Sequence, residues 1–158
     1  MLQHLLCQHR LNKRVNLNSM NAHAIQELSQ ILNPLFAVAL LVCAVWELKK
    51  SAIVWTLCVA LSVGVAQQIS KHIQQEHWVS QRFPSTHYAF ALAIAGAFWA
   101  LNRRFIPATL VYLVLYAVLI TWRGYHTPLE LAGALYALPM GYIAGRFGTR
   151  RGAVASNT

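Results

Sequence analysis

The sequence predicts an all-α fold, a polytopic membrane helix bundle with about five transmembrane helices, and three observations predict it. The 158 residues are 57% hydrophobic. Only 11% are charged, where a soluble domain carries about 25%. The apolar residues also fall into five blocks, each near the ~20 residues that a helix needs to cross a bilayer. Mean hydropathy is +0.44.

The first block runs from about Ile31 to Leu48. Asn33 and Pro34 resemble an N-cap followed by proline at the first helical position, and Glu47, Lys49 and Lys50 close it. The second runs from about Ser51 to Ile69, so the first turn is very short. The third covers His87 to Leu101 and ends at Arg103 and Arg104. The fourth covers Phe105 to about Thr121, and the fifth runs from Pro128 to about Ile143. Ala89, Ala91, Ala93, Ala95, Gly96 and Ala97 make the third block rich in small residues, and the fifth is similar. Small residues let membrane helices approach closely, which places these two at the centre of the bundle. The fourth block, with Tyr112, Tyr116 and Trp122, has bulk for lipid or the interfacial zone. Residues 1–30 are then a polar tail. In it Leu2, Leu5 and Leu6 against Gln8, Arg10 and Arg14 allow an amphipathic helix on the membrane surface. Residues 31–147 are the membrane domain, and 148–158 a basic tail expected to lack structure.

Charge refines this picture. Thirteen Lys and Arg stand against four acidic residues, all Glu, for a net charge of +9. The cations cluster at the ends of apolar blocks, so they read as topology determinants and contacts to anionic headgroups. Membrane lipids, and no nucleic acid, are the expected partners. If the blocks alternate in direction, Lys49, Lys50, Arg103, Arg104, Arg146, Arg150 and Arg151 share one side. Lys71, Arg82 and Arg123 share the other with the N-terminal tail. The positive-inside rule makes the seven-cation side cytoplasmic, as for a multi-pass protein of a bacterial inner membrane. Cys7, Cys43 and Cys58 show no CxxC spacing, so neither a zinc site nor a disulfide framework is expected. No secretory signal peptide is read at the start of the chain. The sequence leaves oligomeric state open.

Two polar islands interrupt the apolar chain on the outward side, Phe83-Pro84-Ser85-Thr86-His87 and His126-Thr127-Pro128-Leu129-Glu130-Leu131-Ala132-Gly133. Ionisable groups at the edge of a membrane segment are costly to keep and mark function. His126 and Glu130 are four apart, on one face of the fifth helix if it includes both. A carboxylate can hold one imidazole nitrogen and leave the lone pair of the other available, as nucleophile or base. His87 can then serve as general acid. Lys71, Arg82 and Arg123 in the flanking loops suit a phosphate.

The two islands resemble the second and third signatures of the type 2 phosphatidic acid phosphatase (PAP2) superfamily, usually Pro-Ser-Gly-His, and a His followed four residues later by Asp. The resemblance extends over about Ser51 to Gly145. It implies a PAP2-like membrane bundle and a metal-independent lipid phosphatase with no cofactor. In that scheme His126 is the nucleophile of a phosphohistidine intermediate, Glu130 orients it and His87 protonates the leaving group. Ser85 and the Thr86 backbone bind phosphate oxygens, with Lys71, Arg82 and Arg123 as the cations. Thr86 stands for Gly and Glu130 for Asp. The family's Arg-Pro seven residues after its Lys is absent, position 78 being Trp78, and Ile120 stands where an Arg usually precedes the third signature. The expected substrate is a lipid phosphate monoester or diphosphate, of the polyprenyl diphosphate, phosphatidylglycerol phosphate, phosphatidic acid or lipid A type. A lipid-binding or scaffolding protein that keeps this fold is the alternative. A metal site built from His72, Glu76, His77, His87 and His126 is the rival use of the histidines, disfavoured by the surrounding cations.

Overall fold

The computed structural model describes residues 31–76, 79, 82–122 and 124–155, the side chains of 151–155 excepted. The N-terminal tail therefore lies outside the described residues, as do His77, Trp78 and Arg123. The chain divides after Leu32 into two units, Met1–Leu32 and Asn33–Thr158, and apart from the first two residues of α1 the second holds every feature discussed below. All regular structure among the described residues is helical: α1 (residues 31–48), α2 (Ala52–Gln75), α3 (Thr86–Leu101), α4 (Ile106–Trp122), α5 (Pro128–Ala132) and α6 (Ala137–Ala155). Short 3₁₀ turns, Lys49–Ser51 and Arg103–Phe105, join α1 to α2 and α3 to α4.

The first turn is as short as the sequence requires. Lys49 takes a positive φ of 49°, which lets the chain reverse between its two neighbours. Leu40 and Ala44 of α1 then pack in one cluster with Val59 and Trp55 of α2 and with Ile94, Ala97 and Phe98 of α3. Glu47 at the end of α1 pairs with Arg104 in the second 3₁₀ turn.

The small-residue helix is central. Eleven of the sixteen residues of α3 are buried, and its exposed residue is His87 in the first turn. It packs on α6, α2 and α4. A methyl group at Gly96 would collide with the Leu138 carbonyl oxygen, and one at Gly141 with the Ala93 carbonyl oxygen. Backbone thus meets backbone between α3 and α6, the close approach that small residues permit.

The periphery is apolar instead. On α1, Leu35, Val38, Val42 and Val45 are exposed, as are Val111, Val114, Leu115 and Val118 on α4. Among the described residues two stretches are long and apolar enough to cross a membrane. One is Ile31–Gln75, which holds α1 and α2 together, and the other is Arg103–Trp122; Thr86–Leu101 is apolar but shorter.

Four boundaries differ from expectation. Helix α2 continues past Ile69 to Gln75 and carries Lys71 within it. The fifth apolar block is not one helix: α5 has five residues, a turn spans 133–136, and α6 follows. Helix α6 runs on to Ala155, so an unstructured C-terminal tail can begin only beyond it. Asn33 is not the start of α1, since residues 31 and 32 are already helical. Its side chain bonds across the bundle, its amide N–H reaching the Tyr116 hydroxyl at 3.1 Å and the His87 carbonyl at 3.4 Å. The Tyr112 hydroxyl donates in turn to Asn33 Oδ1 at 3.3 Å.

Candidate functional site

The second island builds its geometry from a helix start. Thr127 is the N-cap of α5 and Pro128 its first residue. The Thr127 hydroxyl accepts the Glu130 N–H at 3.3 Å, and Glu130 Oε2 accepts the Thr127 N–H at 3.0 Å. This reciprocal capping box satisfies two amides that a helix start leaves orphaned. The same Oε2 accepts from His126 Nδ1 at 2.9 Å. A carboxylate only accepts, so Nδ1 is the donor in this contact, and in the neutral imidazole the lone pair then falls on Nε2.

The His126–Glu130 contact therefore arises differently from the helical face the sequence suggested. His126 lies in the bend before the helix, where the i, i+4 rule does not apply. Glu130 turns back over the helix start and collects both the cap amide and the imidazole. The pair is largely enclosed, with side-chain exposures of 15% for His126 and 10% for Glu130. Behind it, Gly124 takes a φ of 68°, and the Tyr125 and His126 amides bond the Ile120 carbonyl, closing the turn from α4.

The first island is stitched to the second by backbone. The Ser85 N–H donates to the Glu130 carbonyl at 3.0 Å. The Phe83 ring lies so close over Gly133 that a methyl there would strike it. Ser85 caps α3, its hydroxyl accepting the Tyr88 N–H at 3.3 Å. The amides of Thr86 and His87, the first two residues of α3, have no intrahelical acceptor by helix geometry, and they point out of the helix start. His87 follows in the first turn, outside both apolar stretches that are long enough to span.

His87 is exposed, and the Ser85–Glu130 backbone bond holds the start of α3, which carries it, against the helix start that carries the His126–Glu130 pair. Helix α2 braces it from the side. Gln74 Nε2 donates to the Pro84 carbonyl at 2.7 Å. Tyr136, in the turn after α5, shares a 2.7 Å hydrogen bond with Ser70 and donates to the Ala66 carbonyl at 2.7 Å.

His126, Glu130, His87, Ser85 and the start of α3 thus come together. Lys71 and Arg82 are exposed, on the last turns of α2 and in the turn before Phe83, and Arg123 lies outside the described residues. Ser85 is fully buried with its hydroxyl engaged in the cap. Among the described residues no group of three or more His, Cys, Asp or Glu side chains gathers.

Sequence reasoning attached no role to Gln74, Ser70 or Tyr136, and it gave Tyr112 and Tyr116 to lipid or the interfacial zone, whereas both bond Asn33 across the bundle and Tyr116 is buried. The available signal was a polar side chain within or at the end of an otherwise apolar block, as at Asn33 and Ser70. No family model, curated protein or solved structure matches this chain.

Proposed function

We propose that this chain is a membrane lipid phosphatase acting on a phosphate monoester or diphosphate through a phosphohistidine. The observation that carries the reading is the His126–Glu130–Thr127 arrangement, in which the carboxylate accepts from Nδ1 and the neutral imidazole has its lone pair on Nε2 for attack. His126 Nε2 attacks phosphorus, the bond from phosphorus to the lipid oxygen breaks, and His87 gives its proton to that oxygen. Water then attacks the phosphoryl group on His126, passing its proton to His87 and restoring both histidines. The Thr86 and His87 amides and the cations Lys71, Arg82 and Arg123 stabilise the charge on the transferring group. The apolar helices cross a bacterial inner membrane five times, the last crossing being α6, with both islands on the outer side.

One observation favours a second reading. The buried, cap-committed Ser85 hydroxyl leaves the phosphate cradle thinner than the resembled signature implies, which suits a protein that binds lipid phosphates and turns them over weakly. Phosphate release from a panel of lipid phosphates in EDTA, wild type beside His126→Ala, separates the two. Release that is abolished in the variant is expected. Release undiminished in His126→Ala refutes the phosphohistidine scheme, and binding with no release from any lipid favours the second reading.

A further inference from the structure

A lateral cleft of about 430 Å³ opens between α1, α2 and α3. Trp55 lies at one end, Gln67 at the other, and Val38 and Leu41 form its exposed rim. Twelve residues of α2 separate Trp55 from Gln67, a length of about 18 Å along the helix. The lining is almost wholly apolar, so the cleft is a slot for hydrocarbon rather than for a headgroup.

Its register against the two islands is informative. Gln67 and Lys71 are four apart on α2, and Phe90 and His87 three apart on α3, so each pair shares a helix face. Gln67 and Phe90 both line the cleft. The end of the slot thus sits one helical turn below the cation and the histidine that the site offers to a phosphate.

Gly64 adds a second, independent observation. It also lines the cleft, in the interior of α2, where glycine is among the poorest helix formers. Gly96, Gly141, Gly145 and Gly148 are each required by a neighbouring helix, whereas a Cβ at Gly64 would meet nothing within 4 Å. The missing side chain therefore serves no helix contact and widens the slot.

We infer that the α1–α2–α3 cleft is the binding slot for one hydrocarbon chain of a membrane lipid phosphate, entered sideways between Val38 and Leu41, with Gly64 setting its width. The headgroup end rests on the functional reading above, but occupancy of the slot requires no turnover. The test uses the full chain in lipid nanodiscs and phosphatidic acid carrying a diazirine in its acyl chain. A phosphatidylcholine with the same diazirine is the control.

On the wild type, the phosphatidic acid probe labels the α1 and α2 segments around Val38 and Gly64 above the control. Excess unlabelled phosphatidic acid competes, and excess phosphatidylcholine does not. Gly64→Phe lowers labelling to the control level, whereas Gly64→Ala and the lipid-facing Val114→Phe retain it. Equal labelling by the two probes, labelling that survives Gly64→Phe, or a second copy of the chain crosslinked over this face overturns the slot. Should Gly64→Phe fail to fold, the competition on the wild type decides alone. Specific labelling without phosphate release from any lipid refutes the phosphatase and leaves the slot standing. Phosphate release with equal labelling does the reverse.

Discussion

Glu130 is the residue on which most depends, because one carboxylate oxygen holds both the cap amide of Thr127 and the imidazole of His126. Its length is suited to this. A capping box takes Glu or Gln at the third helical position so that the side chain can reach back to the N-cap. The extra methylene relative to the Asp of the resembled signature is therefore what this loop geometry needs. Glu130→Gln keeps an acceptor for the cap but removes the negative charge beside His126. Phosphate release is expected to fall by about 10²-fold or more, within the range of acid–base contributions, with little change in thermal stability. Thr127→Ala removes the other half of the box and is expected to cost about 1 kcal/mol of stability, read as a lower melting temperature in detergent. The proposed role of His87 sets the sign of a pH dependence. A general acid must be protonated, so kcat/KM, which reports the free enzyme, is expected to fall as pH rises and His87 loses its proton. A bound phosphate dianion favours the charged imidazolium, so kcat should persist to higher pH than kcat/KM. Coincident profiles would count against His87 as the acid.

At the scale of elements, legibility followed whatever had a strong local cause. The Lys49-Lys50 reversal and the small-residue character of α3 were readable because chain-end charges, glycine and alanine act within a turn or two. The break between α5 and α6 was not. Residues 133–136 are Gly-Ala-Leu-Tyr, apolar enough to read as continuous helix, and the turn is held by distant partners. The Phe83 ring occupies the space over Gly133, and the Tyr136 hydroxyl reaches Ser70 and Ala66 on α2. Asn33 was misread for the same reason, since Asn-Pro is ordinary start chemistry and its real partners lie 54 to 83 residues away. Of the site, the His126–Glu130 pairing and its nearness to His87 were legible from spacing and order, but the capping geometry that creates the contact was not. Gly141→Leu is expected to abolish the folded state, because its side chain would have to displace the Ala93 backbone. Loss of a monodisperse gel-filtration peak would record it, beside a Val114→Leu control that stays intact. Retention of the peak would show that the α3–α6 contact is looser than described.

For the whole molecule, the division between a polar, hydrogen-bonded end and apolar flanks matches a chain with one end at a membrane surface. The exposed apolar faces of α1 and α4 are of the kind that lipid or a partner covers. In the proposed orientation the positive-inside rule puts the cationic turns Lys49–Ser51 and Arg103–Phe105 on the cytoplasmic side. In a cysteine-free background, Arg82→Cys is expected to react with a membrane-impermeant maleimide in intact bacterial cells, and Lys49→Cys only after the membrane is opened. The opposite pattern would turn the site to the cytoplasm. The central claim, that His126 carries the phosphoryl group, has a more direct measure. The full chain is mixed in EDTA with a lipid phosphate carrying ³²P, quenched with alkali within the first turnover and digested for peptide mapping. The expected result is an acid-labile, alkali-stable label on the peptide containing His126, absent from His126→Ala and longer-lived in His87→Ala once formed. Phosphate released at the wild-type rate with no label on that peptide, or an equal label in His126→Ala, would contradict it.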